Sequence, residues 1–292
     1  MDALSQILSK LRFRAGLFTH ARYCGTWAVD TSGMKPATFH LVQDGDCWLR
    51  LGDQAPRRLM RGDFVLFPRD EHHLLTSTEA IPDVPINIAP PEDPALPLTR
   101  MLCGYFEFTS PAAWPLLASL PAAIVVQLVG DGGATEVGHT IELLIRESLE
   151  AKVGSDVVLE RLAYVLFVQV LRREVMAGRV QGLLAALGDR QLGVALQKIH
   201  SEPAQPWTMN RLAREAGMGR ANFAKRFNEA VGVPPMRYLT EWRMQLAVDQ
   251  LSTTEQSVAQ IAEQCGYQSE AAFRAAFKKV LGYPPGRLRS RP

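Results

Sequence analysis

The spacing of apolar residues changes character along the chain. Between residues 20 and 108, short alternating or aromatic and β-branched runs occur at Thr38–Gln43, Cys47–Leu51, Phe64–Phe67 and Leu102–Phe108. The turn pairs Asp44-Gly45, Gly52-Asp53 and Gly62-Asp63 separate them. This is the pattern of short strands in an antiparallel β domain. Six prolines (82, 85, 90, 91, 94 and 97) then fall between Ile81 and Pro97, a density that excludes regular structure and predicts a long loop. After Pro111 the apolar period lengthens to three and four, predicting helices over Glu136–Ala151 and Asp156–Ala177. On the second of these, Val158, Leu162, Val165, Phe167, Val168 and Leu171 make a broad apolar surface. It suits packing on the β domain, dimerisation, or both. Gly178–Asp189 reads as a linker with a short apolar turn at Leu183–Leu187.

The last third repeats itself. LAREAGMGRANFAKRFNEAVGVPP (212–235) is followed by IAEQCGYQSEAAFRAAFKKVLGYPP (261–285). Gly217 matches Gly266 at an offset of 49, and Phe223, Phe227, Gly232 and Pro235 match Phe273, Phe277, Gly282 and Pro285 at an offset of 50. One supersecondary unit therefore occurs twice. In each copy a short apolar helix ends at the glycine, which supplies a left-handed residue. Gly219 or Ser269 stands at the N-cap of the next helix. Two phenylalanines four apart put one face of that helix into the core. Ser257 and Gln260 form a capping-box pattern at the start of the second copy. Helix, tight turn and helix in this order is a helix-turn-helix, whose second helix is shaped for a DNA major groove. Between the copies, PPMRYLTEWRMQLAVDQL (234–251) predicts one long helix with proline at its start.

Charge sharpens this picture. The chain has 292 residues with net charge +2, but residues 189–292 hold 15 Lys/Arg against 9 Asp/Glu, a net +6, leaving −4 for residues 1–188. A basic last third beside an acidic remainder is what a nucleic-acid module attached to another domain presents. With 47% hydrophobic and 21% charged residues the chain is not a disordered one. No apolar run approaches the ~18 residues of a membrane helix. MDALSQILSK has no basic segment leading into an apolar one, and the four cysteines (Cys24, Cys47, Cys103, Cys265) lack CxxC spacing. A reducing, cytoplasmic location without membrane attachment is the expectation.

Residues 189–292 resemble the AraC/XylS family of bacterial transcription regulators, through Trp207, LAREAGM, FAKRF, YLTEWRMQLA, IAEQCGYQSEAAF and AFKKVLGYPPG. The resemblance implies binding to a double-stranded DNA operator, and activation through contact with RNA polymerase. By position, Arg220, Ala221, Ala224 and Lys225 match the family's first base-reading surface, and Gln268, Glu270, Ala271 and Arg274 the second. Arg or Lys suits guanine, Glu suits cytosine N4, and Ala meets a thymine methyl. Arg226, Lys278 and Lys279 are assigned to phosphates, which position without specifying. For Arg220, Lys225 and Arg274 base and phosphate both stand, and the alanines also fit as plain helix-favouring surface.

Residues 62–73, GDFVLFPRDEHH, are similar to the second cupin motif: Gly62, Pro68 and His73 match, while Asp70 replaces a glycine. The first motif, with its HxH and glutamate, is missing, and His40 alone lies near its place. A catalytic metal needs three protein ligands, so a catalytic cupin is disfavoured. Together with MDALS, Cys24–Trp27, FHLV and MLCGYFEF, these segments resemble AraC-type regulators with a degenerate cupin, a group that includes regulators responding to reactive chlorine or related oxidants. The resemblance places redox-active cysteines at Cys24 and Cys103. Their chemistry leaves three readings: a redox dithiol, with a nearby His lowering a thiol pKa; a soft site for zinc or another transition metal from Cys24, His40, His73 and Cys103; or cysteines serving as small buried apolar residues. Cys47 and Cys265 are assigned to cores. His20, His139 and His200 show no constellation.

The fold expected is α+β: a cupin-like β-barrel sensor (1–135), a helical dimerisation and linker region (136–188), and an all-α domain of two helix-turn-helix units joined by a long helix (189–292). The function expected is a sequence-specific DNA-binding regulator, not an enzyme, controlled by a small-molecule or oxidant effector at the cupin-like domain, with a homodimer as the associated assembly. The alternatives are a metal-dependent cupin enzyme fused to a DNA-binding module, disfavoured by the missing triad, and a constitutive architectural DNA binder, which leaves the acidic front unexplained.

Overall fold

The computed structural model describes residues 3–10, 13–33, 37–88, 93–108, 113–127, 136–150 and 152–288. Helix α1 (Ala3–Lys10) precedes eight strands: β1 (Phe13–Cys24), β2 (Ala28–Val29), β3 (Thr38–Asp44), β4 (Asp46–Leu51), β5 (Arg57–Met60), β6 (Phe64–Phe67), β7 (His73–Thr76) and β8 (Leu98–Phe108). After α2 (Ala113–Ala118), β9 (Ile124–Val126) ends the β-rich part. The helices α3 (Glu136–Glu150), α4 (Ser155–Met176), α5 (Gly182–Gly188), α6 (Leu192–Ser201), α7 (Met209–Glu215), α8 (Arg220–Val231), α9 (Pro235–Thr253), α10 (Val258–Gln264) and α11 (Glu270–Leu281) follow, then a 3₁₀ turn at Pro285–Leu288.

Two compact units divide the chain, and they cut across the boundaries expected at 135 and 188. One comprises 13–108 with 120–179; the other comprises 1–12, 109–119 and 180–292. α1 and α2 thus belong with the helical unit although the sequence places them in the sensor.

The β unit is built from two antiparallel sheets, β1-β8-β3-β6-β9 and β2-β7-β4-β5. The centre of the five-stranded sheet is buried on both faces, which is why β6 reads as an unbroken apolar run and why β3 is buried from Thr38 to Gln43 although Thr38, His40 and Gln43 are polar. One face carries Val42, Val65, Phe67, Met101 and Cys103 into a core shared with Cys47, Leu49, Leu59 and Leu75 of the other sheet. The opposite face carries Phe39, Phe64 and Phe106, and the Phe106 ring centroid lies 4.9 Å from that of Phe167 on α4. Gly104 is needed on this face: a Cβ there would stand 2.5 Å from the Phe39 ring and from the Gly16 carbonyl. On α4, Phe167 and Leu171 are buried, while Val158 and Val165 remain 44% exposed. The apolar surface expected on this helix is therefore split between a packed stripe and an open one.

In the helical unit the repeat is realised as read. Gly217 and Gly266 have φ of 64° and 78°, and Gly232 and Gly282 end α8 and α11 at φ of 83° and 80°. Ser269 caps α11 by accepting from the Ala272 amide, and Ser257 with Gln260 forms the full capping box on α10. Pro235 opens α9, which at 19 residues spans about 28 Å. Phe223, Phe227, Phe273 and Phe277 are fully buried, and Cys265 lies with the latter two in the core of the second copy. Gly182–Gly188 differs from the expected linker: it is a helix, α5, with Leu183, Leu184 and Ala186 buried, packed on α6, α8, α1 and α2.

Candidate nucleic-acid interface and buried sensor site

Burying two phenylalanines per second helix turns the opposite faces of α8 and α11 outward. Arg220, Ala221 and Lys225 on α8 are exposed, with Ala224 half-buried among them. Gln268, Ala271, Arg274 and Lys278 are exposed on and before α11, and Glu270 is half-buried. Lys225 has only a loose 3.9 Å approach to Glu229. Arg274 is held by Glu270, with Nε and Nη2 each 2.6 Å from Oε1. Asn222, exposed beside Lys225, escaped the sequence reading; the signal was its place one residue before the buried Phe223, and its amide suits adenine.

Arg226, assigned to a phosphate from the sequence, is engaged within the helical unit. Its guanidinium donates to Asp189 Oδ2 at 2.9 Å and to Gln191 Oε1 at 2.7 Å. Asp189 at the same time caps α6 by accepting from the Gln191 and Leu192 amides. Arg226 thus ties the first reading helix to the start of α6. His200, which showed no constellation in the sequence, is buried on the Tyr238 hydroxyl at 2.8 Å and against the Trp242 ring. Burial drives its pKa down to about 3.

The β unit gathers a second group. His40 on β3 faces Cys103 on β8, its register partner, and Nδ1 lies 3.0 Å from Sγ. Its other nitrogen, Nε2, lies 3.2 Å from His73 Nε2, and the Thr31 hydroxyl touches both, at 2.9 and 2.8 Å. His73 Nδ1 lies 2.7 Å from the Glu71 carbonyl, and Phe67 stacks flat on the His73 ring. The protons follow from the partners. A carbonyl only accepts, so neutral His73 carries its proton on Nδ1 and accepts at Nε2. His40 must then donate from Nε2, which leaves Nδ1 to accept the Cys103 thiol proton. Burial holds His40 and His73 below the usual imidazole range and pushes the Cys103 thiol up to about 12, so the neutral chain is the resting form.

Cys24 is not part of this group. In the β1–β8 ladder Cys24 faces Leu98, and Cys103 faces Thr19. Five residues of strand separate the two cysteines, roughly 17 Å, far beyond the ~7 Å Cα limit of a disulfide. An odd offset also places them on opposite sheet faces. All four cysteines are free and buried. The proposed four-ligand metal set fails on geometry as well: Cys103 meets the Nδ1 edge of His40 while His73 meets the Nε2 edge, so one ion cannot take all three. Among the described residues no cluster of three His, Cys, Asp or Glu is arranged to hold a metal. What does converge is two imidazole nitrogens and one hydroxyl.

A family model described as Cupin matches residues 2–176, and one described as Helix-turn-helix domain matches residues 212–291. An AraC-like transcription regulator of Streptomyces antibioticus is 35% identical over all of this chain and 99% of its own. An HTH-type transcriptional regulator of Haemophilus influenzae is 30% identical over 99% of this chain and 98% of its own. The RCS-specific HTH-type transcriptional activator RclR of Escherichia coli K12 is 26% identical over 100% of this chain and 98% of its own. A cupin unit together with a duplicated helix-turn-helix defines a DNA-binding transcription regulator. The chain belongs to the AraC-like transcription regulators. Among the described residues no helix is long and apolar enough to cross a membrane.

Proposed function

We propose that this regulator is controlled by chemistry at the buried Cys103–His40–Thr31–His73 chain, with an oxidant of the hypochlorite class as the signal. The carrying observation is the Cys103 sulfur lying 3.0 Å from His40 Nδ1, with both side chains buried. Hypochlorous acid transfers chlorine to the sulfur, giving a sulfenyl chloride and water as the thiol proton leaves through His40 Nδ1. A second water then displaces chloride, leaving a sulfenic acid and HCl. The added oxygen needs hydrogen bonds and room that this packed site lacks. The similarity to the RCS-specific activator supports the choice of oxidant. The route to DNA runs along the chain: β8, which carries Cys103, leads to α2, α2 packs on α5, and α5 packs on α8. The test is DNA binding by the full chain before and after sub-stoichiometric hypochlorite, on sites selected from random DNA. A changed affinity that is lost in Cys103→Ser supports the reading; unchanged binding and unchanged transcription in vitro overturn it.

A second reading is favoured by one observation, the 3.2 Å approach of two Nε2 atoms while His73 Nδ1 donates to a carbonyl, the usual outer-shell arrangement of a metal-bound histidine. On that reading His40 and His73 hold a transition metal and Cys103 lies outside its coordination. Metal analysis of the purified chain and of His73→Ala separates the two. RNA polymerase contact and a homodimer complete the proposal. The open apolar positions Leu143, Leu149, Val157, Val158 and Val165 on α3 and α4 support self-association, with sedimentation of Val158→Asp/Val165→Asp as its test.

A further inference from the structure

The two reading helices are not equivalent, and the difference lies in one ion pair. At the offset of 50, Glu270 and Arg274 of α11 stand where α8 has Arg220 and Ala224. At this place in the helix only α11 therefore carries an acid–base pair one turn apart; the pair on α8, Lys225 and Glu229, lies further along and is looser, at 3.9 Å against 2.6 Å. Both contacts of the Arg274 guanidinium go to the same carboxylate atom, Glu270 Oε1. The Nε edge of the guanidinium is thereby used up. The Nη1–Nη2 end faces away from that contact, and neither contact uses Glu270 Oε2. The pair is half-exposed, at 48% and 40% of the side chains. Its exposed neighbours on the helix up to Lys278 are Ala271, Ala272 and Ala275, so within this stretch of α11 the pair alone can hydrogen-bond a base, with Gln268 exposed just before the helix.

We propose that Glu270 and Arg274 act as one unit that reads a single G·C pair in a fixed orientation. Laid side by side, Nη1, Nη2 and Oε2 offer donor, donor and acceptor. In the major groove a G·C pair offers N7 and O6 as acceptors and cytosine N4 as donor, in that order. The reversed C·G pair and the A·T orientation each fail this pattern at two of the three places or more, and T·A fails at one, where its C5 methyl stands in place of guanine N7. Glu270 adds discrimination in another way: its negative charge is repelled by phosphates, which penalises placements where the unit meets the backbone instead of a base edge. This rests on the helical unit binding DNA through α8 and α11.

The test is selection of binding sites from random duplex DNA by the full chain, alongside Arg274→Ala, Glu270→Ala and the isosteric Glu270→Gln. Wild type should yield a motif with a G·C pair at one position of one half-site. Arg274→Ala and Glu270→Ala should each erase the preference at that same position, by ~5-fold to 100-fold, and leave the other positions intact. Glu270→Ala should also tighten binding to random DNA. Glu270→Gln keeps the shape of the helix start, so a lost preference there excludes misfolding as the cause. If both Glu270 variants keep the wild-type motif, or if the Arg274 and Glu270 variants alter different positions, the pair is not a reading unit. If wild type selects no motif at all, DNA reading by this unit fails before the pair is in question.

Discussion

Sγ of Cys103 donates its proton to Nδ1 of His40, and the carbonyl of Glu71 at the far end of the chain of contacts sets that direction. The thiol is a resting donor in a neutral network. With its pKa pushed up to about 12 by burial, its thiolate fraction at pH 7 is on the order of a thousand times below that of a free cysteine. Alkylation of Cys103 in the native chain is therefore expected to run at least ~100-fold slower than in the urea-unfolded chain. Equal rates, read by peptide mass, would show that the site is open.

Oxidation should stop at one sulfur. The β1–β8 register keeps Cys24 and Cys103 on opposite faces and far apart. Mild oxidant is expected to give a trappable sulfenic acid on Cys103, with no Cys24–Cys103 linked peptide while the circular dichroism spectrum stays native. A linked peptide from native-like protein would mean that β1 slides or leaves the sheet on oxidation.

Arg226 should matter to folding more than to DNA. Arg226→Ala removes a half-exposed ion pair and the brace on the α6 cap, worth ~0.5–1 kcal/mol after screening by water. A lower thermal midpoint with an unchanged salt dependence of DNA binding is expected. Lys225→Ala, by contrast, should flatten the salt dependence by about one ion if it meets a phosphate. A flattened slope for Arg226→Ala would restore it to the phosphate contacts.

His200 should make the helical unit acid-sensitive. Its folded pKa is about 3 against an ordinary 6.5, so the folded state holds the neutral ring while the unfolded chain takes up a proton. The contribution is complete above about pH 6.5 and declines as the pH falls toward 3, by at most ~1.4 kcal/mol per pH unit. Thermal melts between pH 7.5 and 5 should slope downward with acid, and His200→Gln should flatten that slope. An unchanged slope in the variant would place the proton uptake elsewhere.

The helix-turn-helix copies were legible because their signals are local: a glycine at positive φ, a cap, and phenylalanines four apart lie within 25 residues. The buried group was half legible. Residue type alone brings His40, His73 and Cys103 together, but it adds Cys24 to them because strand register is not written in composition. RAGLFTHARYC does not alternate cleanly, so β1 and its pairing to β8 were not visible. GLLAALG reads as a linker because glycines bracket it, and only the packing of α1 and α2 makes it a helix with a buried side. Arg226 finds its partners 35 and 37 residues away, beyond the reach of any local pattern.

The unit that holds both reading heads is discontinuous in sequence. Ile7 and Leu8 of α1 and Leu116 and Leu117 of α2 are buried, and these helices pack on α5, with α1 also on α6. A fragment beginning at Asp189 keeps α8 and α11 but loses α1, α2 and α5 together, and bares the faces of α6 and α8 on which α1 and α5 pack; each buried leucine or isoleucine so lost is worth ~1.5–3 kcal/mol. A crossover upstream of the repeat would therefore join α6 and α8 to an α1, an α2 and an α5 that had not been matched to them.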